Sequence, residues 1–237
     1  MTSGSEKQRR AYLDALGIDV FVPRGAPEAV EPLPAGPEAA ADAPRDVPAT
    51  PHSGDFDALR DAVTSCTRCS LHATRTQAVF GVGDPAADWM VIGEAPGGEE
   101  DRRGEPFVGR AGKLLDEMLR AIGQSRQSVF IANILKCRPP NNRDPAKEEA
   151  AACRGYLDAQ IDHVAPRLIL VVGRIAAHEL LATDVPVGRL RGGDHEYRGI
   201  PLVVTYHPAY LLRSPSQKAK SWDDLRLAMR RFQEQAA

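Results

Sequence analysis

No apolar run in these 237 residues approaches membrane-spanning length, and the first ten, MTSGSEKQRR, are polar. A spanning helix needs about 20 apolar residues in succession, and a secretory leader needs an apolar core. Neither is expected, and the chain reads as cytoplasmic. An excess of one charge is also missing. With 30 Lys and Arg against 32 Asp and Glu, the net charge is -2, so any surface for nucleic acid must be local. Cysteine is scarce: Cys66, Cys69, Cys137 and Cys153 are all there are. Structural disulfides are not expected in a reducing compartment, which leaves metal ligation, catalysis or simple burial. Finally, neither G-x-x-x-x-G-K-[ST] nor G-x-G-x-x-G occurs, so a nucleotide-cradling loop has little support.

What is present falls into three parts. Residues 1–21 include Tyr12, Leu13 and Leu16 on one helical face, followed by Ile18, Val20 and Phe21. This reads as a short amphipathic helix that docks either on the main body or on a protein partner. Residues 22–54 hold eight of the 19 prolines among Ala, Gly and acidic residues. They bury too little apolar surface to offset ordering entropy and read as a linker. From residue 55 onward the chain is close to neutral, and helices alternate with strands. A helix over about 55–65, with Asp55 as N-cap, ends at CTRC. Apolar strands are expected at 89–93, at VFIANIL (129–135), at LILVVG (168–173) and within PLVVTYHP. KLLDEMLRAIG, the stretch after Pro145, RIAAHELLA and SWDDLRLAMRRFQEQ read as helices. The alternation implies an α/β fold, a three-layer sandwich around a mainly parallel sheet.

In such folds ligands gather at the carboxyl ends of the strands. Three unusual segments sit there: GEAPGGEEDRRGEPFVGRAG (93–112), NILKCRPPNNRDP and YHPAYLLRSP. The first has glycines for close backbone approach, several carboxylates and Phe107, which suits a small planar heterocycle better than a phosphate. Asn133 ends a strand, and its carboxamide can both donate to and accept from a pyrimidine edge. His207 also follows a strand.

These three segments resemble the signatures of bacterial and archaeal iron–sulfur (family 4) uracil-DNA glycosylases, over about residues 55–235. The resemblance implies a uracil-DNA glycosylase-like fold and a monofunctional enzyme that flips uracil out of single- or double-stranded DNA. It would hydrolyse the N-glycosidic bond and leave an abasic site. By the same resemblance Phe107 stacks on uracil and Asn133 reads its Watson–Crick edge. Backbone around Glu94, Ala95 and Pro96 lines the pocket, and Glu100 stands near C5, where it crowds the thymine methyl. His207 hydrogen-bonds O2 as charge develops there, and Leu211 fills the gap in the base stack. Ala95 occupies the place where other members of the wider superfamily carry a water-positioning Asp, so only Glu94 or Glu100 remains to orient water.

The spacing C-x2-C, 67 residues, C-x15-C fits an iron–sulfur cluster or structural zinc equally; the resemblance favours a [4Fe-4S] cluster held by all four cysteines. Basic residues flank all three segments: Arg102, Arg103, Arg110 and Lys113; Lys136, Arg138 and Arg143; Arg189, Arg191, Arg213, Lys218 and Lys220. Their recurrence suggests a phosphate-contacting rim. A monomer is expected. The competing reading is a non-catalytic iron–sulfur module that binds single-stranded DNA and acts with a partner. A relative that becomes covalently joined to DNA through a histidine finds no such residue in GRAGKLLDEM.

Overall fold

The computed structural model describes residues 55–235; the expected N-terminal helix and the Pro-rich linker lie outside the described residues. Helix α1 (Phe56–Thr64) begins where the Asp55 carboxylate accepts the backbone N–H groups of Asp57 and Ala58 at 3.0 and 3.1 Å, an N-cap of the ordinary kind. The chain then supplies the edge strand β1 (Val82–Gly83) and the fully buried strand β2 (Trp89–Gly93). Next come α2 (Gly98–Arg103), α3 (Arg110–Ala121), β3 (Phe130–Asn133) and α4 (Lys147–Val164). Strand β4 (Leu168–Val172) leads to α5 (Arg174–Leu181) and α6 (Val187–Leu190). Strands β5 (His195–Tyr197) and β6 (Ile200–Thr205) and helices α7 (Pro208–Arg213) and α8 (Lys218–Glu234) complete it.

The six strands form one sheet in the order β1-β3-β2-β4-β6-β5. The four central strands are parallel, and the two short edge strands run antiparallel. The four central strands are those read from the sequence; β1 and β5 are too short to leave a period-2 signal. Successive side chains of a strand point to opposite faces, and both faces are covered. Met90, Ile92, Ile169, Val171, Leu202 and Val204 pack with α1, α4, α5 and α6. Trp89, Val91, Leu168, Leu170, Val172 and Val203 pack with α3, α7 and α8. Helix α3 presents Leu115, Met118 and Leu119 to this second layer.

The chain steps from β2 outward to β3 and then returns to the other side of β2 with β4. That reversal opens a crevice above the carboxyl ends of the central strands. Register sets its floor: Gly93 lies directly beside Asn133, and Val172 beside Thr205. The end of β6 is anchored by α8. Asp224 accepts from Thr205 Oγ1 at 2.7 Å and from Arg191 Nε and Nη2 at 2.7 and 2.9 Å. The Asp224 side chain is 3% exposed and that of Arg191 11%. Removing one partner of such a pair leaves an uncompensated buried charge, at about 3–5 kcal/mol. Asp224→Ala is therefore expected to lower the unfolding free energy by that amount, read as a lower urea midpoint with an unchanged m-value.

Candidate active site

A cleft of about 770 Å³ opens at this crevice, lined by Glu94, Glu100, Phe107, Asn133 and His207 among others. These residues are far apart in sequence, and the ends of β2, β3 and β6 bring them together. Ala95 also lines the cleft, whereas Pro96 is buried behind it.

Gly93 decides how closely they meet. A Cβ at this position would lie 2.5 Å from Phe107 Cζ and 2.6 Å from Asn133 Oδ1. Only the bare backbone lets the ring and the carboxamide share the space above β2. Phe107 itself is held at φ 55°, a left-handed conformation unusual for an aromatic residue. Such strain persists only when the surroundings over-determine it, and here they do. Arg126 donates to the carbonyl oxygens of Pro106 and Phe107 at 2.7 and 3.1 Å. On the other side, Glu100 Oε1 accepts the N–H groups of Val108 and Gly109 at 3.0 and 3.1 Å, while its Oε2 accepts that of Gly97 at 3.1 Å. Gly112 completes the arrangement, because a Cβ there would meet the Phe107 carbonyl oxygen at 1.6 Å.

The carboxylates of the first segment thus have mostly local work. Glu99, Glu100 and Asp101 occupy the first turn of α2, where negative charge suits the helix dipole. Asp101 is buried and accepts the Thr76 N–H at 2.9 Å. Glu94 differs: its carboxylate accepts no hydrogen bond from the described residues, and burial, then nearby Asp144, pushes its carboxyl above the usual range, with Arg174 opposing.

Asn133 is 2% exposed, and its Oδ1 has no hydrogen-bond partner. An unsatisfied buried acceptor costs about 1–3 kcal/mol, so this oxygen awaits a donor. Its backbone carbonyl is pinned by Lys136 Nζ at 2.8 Å, and that ammonium also donates to Gln160 Oε1 at 2.5 Å. His207 caps α7, with its Nδ1 accepting the Ala209 N–H at 3.1 Å. The acceptor role fixes the tautomer: the ring proton belongs to Nε2. Gly173, at φ 103°, allows the close approach, since a Cβ would stand 3.0 Å from His207 Cβ. The Phe107 and His207 rings lie 5.7 Å apart at 30°. Burial, helped by the Arg213 charge and opposed by Glu100, lowers the His207 pKa to about 4.

Leu211 is 1% exposed and packs in the apolar layer with α3 and α8, while its neighbour Leu212 is 36% exposed. The six-residue helix α7 has room for one inward stripe, and Pro208 and Leu211, three apart, occupy it. Some sequence expectations need correction. In the basic rim, Lys136 is 1% exposed, Arg191 is committed to Asp224, and Arg143 pairs with Glu149 at 2.6 Å. Lys136 and Arg191 are thus withdrawn from the rim, whereas Arg143 stays 45% exposed. Sequence reading also missed Lys136 as the partner of Asn133; the i, i+3 separation gave no cue beyond the segment itself.

The four cysteines line one small cavity on the α1–α4 side of the sheet, together with Arg68, Lys136 and Tyr156. The donors around it suit anionic sulfur. Arg75 Nη1 reaches Cys137 Sγ at 2.9 Å, and the Lys136 N–H reaches Cys153 Sγ at 3.3 Å. Arg68 Nε and Nη1 are buried without partners. Among the described residues no three His, Cys, Asp or Glu side chains converge on a single-ion site.

The His207 geometry generates a pH prediction. Because its folded-state pKa lies below the ordinary value of about 6.5, the ring stays neutral until the pH approaches 4. The ¹⁵N resonances of His207 are expected to report the Nε2–H tautomer unchanged from pH 8 to 5. A titration midpoint near 6.5 would contradict this. By linkage, the group favours the folded state above pH 6.5, and that contribution is lost as pH falls from 6.5 towards 4.

The chain can now be set beside known proteins. The family model described as the uracil DNA glycosylase superfamily matches residues 80–226. The type-4 uracil-DNA glycosylase of Archaeoglobus fulgidus is 42% identical over 178 residues, covering 72% of this chain and 89% of the relative. Those of Sulfurisphaera tokodaii and Thermotoga maritima are each 43% identical, over 170 and 167 residues; they cover 68% and 70% of this chain and 77% and 87% of the relatives. Among the described residues no helix is long and apolar enough to cross a membrane. With the matched region spanning the whole sheet and all three cleft segments, the chain belongs to the type-4 uracil-DNA glycosylases of the uracil DNA glycosylase superfamily.

Proposed function

We propose that this protein excises uracil from DNA by hydrolysing the N-glycosidic bond, leaving an abasic site for base excision repair. The observation that carries the reading is the buried, unpartnered Asn133 Oδ1 in the same cleft as Phe107 and an Nε2-protonated His207. Uracil offers an N3–H donor to Oδ1 and an O4 acceptor to the amide nitrogen. Cytosine presents an acceptor at N3 and a donor at its amino group, so both contacts would be mismatched. Phe107 supplies the stacking face. Glu100, fixed by three backbone donors, serves as a rigid wall against a C5 methyl group.

Cleavage breaks the C1′–N1 bond, and the electron pair leaves with the base and delocalises onto O2. His207 Nε2–H donates to that oxygen. Removal of one preorganised donor of this kind typically costs about 100- to 1000-fold in rate. Water then bonds to C1′, and the proton it gives up goes to the departed uracil anion, so that the products are the abasic sugar and neutral uracil. Of the three cleft carboxylates, Glu100 is held by backbone N–H groups and Asp144 by Arg174, whereas the Glu94 carboxylate accepts no hydrogen bond and has a raised pKa, which supports it as the group that orients the water. Cys66, Cys69, Cys137 and Cys153 would hold a [4Fe-4S] cluster. Four thiols on one cavity, with Arg68, Lys136 and Arg75 beside them to offset several anionic sulfurs, support that reading. The group would fasten the residues after α1 to the start of α4, and no step of the cleavage passes through it.

A labelled single-uracil oligonucleotide beside a thymine control, treated with alkali and resolved on a denaturing gel, tests the reading. Scission confined to the uracil lane is expected, and His207→Ala should slow it about 100- to 1000-fold. An intact strand from brown, well-folded protein would instead favour the single-stranded-DNA-binding module, and a retarded band surviving denaturation would indicate covalent capture.

Two substitutions separate the parts. Gly93→Ala should cut the uracil-release rate at least about tenfold and leave the brown colour intact, while its clash with the buried Phe107 and Asn133 side chains costs about 1–3 kcal/mol of stability. Cys153→Ser should bleach the brown colour and lower Tm, because it leaves the donors around that cavity without their anion.

A further inference from the structure

Only two large apolar side chains among the described residues are exposed, Leu212 at 36% and Trp222 at 42%, and both belong to the α7–α8 stretch. Trp222 stands on an apolar groove of about 180 Å³ between α3 and α8, with Leu114, Met118, Leu211 and Leu225 as its other apolar walls. The groove is the near neighbour of the cleft. Helix α7 carries His207, Tyr210 and Arg213 on the cleft side and Leu211 on the groove side. Helix α3 likewise gives Ala111 to the cleft and, one turn later, Leu114 to the groove. One helical turn advances about 5.4 Å, so the two openings adjoin along both helices.

Charge and unmet hydrogen bonding agree with that placement. Arg213, Lys218 and Lys220 are exposed along this rim and have no ion pair among the described residues. The one groove carboxylate, Glu117, is paired with Arg120. The Ser221 hydroxyl is buried at the groove wall without a partner. A cationic rim beside an aromatic face is the arrangement that binds single strands, where each base can stack on a side chain.

We propose that the Trp222 groove captures an unstacked base one or two nucleotides from the uracil, with Arg213, Lys218 and Lys220 on the intervening phosphates. This inference rests on the uracil-excision reading of the cleft. It assigns the protein a preference for single-stranded or locally opened DNA, because a base held within a duplex stack has no face to offer Trp222.

The full chain has two tryptophans, and Trp89 is 2% exposed, so a fluorescence change on binding reports Trp222. The probe is a set of oligonucleotides carrying a 2′-fluorinated uracil nucleotide that resists cleavage. Its strands extend zero to four nucleotides past the uracil on either side, alone or as duplexes. Emission should be quenched only by single strands with at least one or two flanking nucleotides. Trp222→Ala should abolish the quench and weaken single-strand binding about tenfold relative to duplex, and Trp222→Phe should restore part of the affinity; a base–aromatic stack of about 1–3 kcal/mol predicts a change of this order. Normal uracil release without quenching, or equal quenching by duplex, would overturn the groove assignment alone. Absence of uracil release would remove the excision reading and this inference with it.

Discussion

The absence of a side chain at Gly93 governs the site. Parallel pairing puts this residue beside Asn133, and a strand neighbour with a Cβ would fill the space that Phe107 and the Asn133 carboxamide now occupy. The Phe107 ring and the Asn133 carboxamide crowd the same point above β2. The sheet can bring them that close only over bare backbone. Much of the surrounding structure serves to keep that contact from collapsing. Arg126 and Glu100 hold Phe107 in its left-handed conformation from opposite sides, and Lys136 fixes the Asn133 carbonyl.

The electrostatics of the cleft follow from which groups are already satisfied. Glu100 spends both oxygens on backbone N–H groups, whereas Glu94 spends neither on a hydrogen bond. The run of acids that looks out of place in a glycine-rich loop is therefore mostly a helix start and a loop staple. His207 is kept neutral by burial and by the cation of Arg213, and the Ala209 N–H leaves its proton on the nitrogen that can serve as donor. Behind the β3 end, cations gather around the cysteines in a region with few carboxylates. Lys136 belongs to both places, touching Asn133 through its side chain and Cys153 through its backbone. Asn133 and the cysteine cavity are thus two sides of one short segment.

The four long strands, the helices between them and the three cleft segments were legible because long apolar runs and turn residues are local signals. Phe107, Asn133 and His207 were legible through the motifs that contain them, and the cleft does bring them together. The edge strands β1 and β5, of two and three residues, carry no period to detect. Helix α2 was hidden inside a glycine-rich loop, since its start is set by Glu100 and Gly97 rather than by an apolar stripe.

Sequence by itself determined the layer order, the family and the chemical types available at the strand ends, because each depends on residues near one another in the chain. Tertiary structure alone decided which of those groups are free to act. Lys136 reads as part of a basic rim and is buried against α4, where Gln160 accepts its hydrogen bond. Arg191 reads as a phosphate ligand and is claimed by Asp224 from 33 residues away. Burial and partnership are sums over the whole fold, so a side chain's availability is fixed only when every layer is in place.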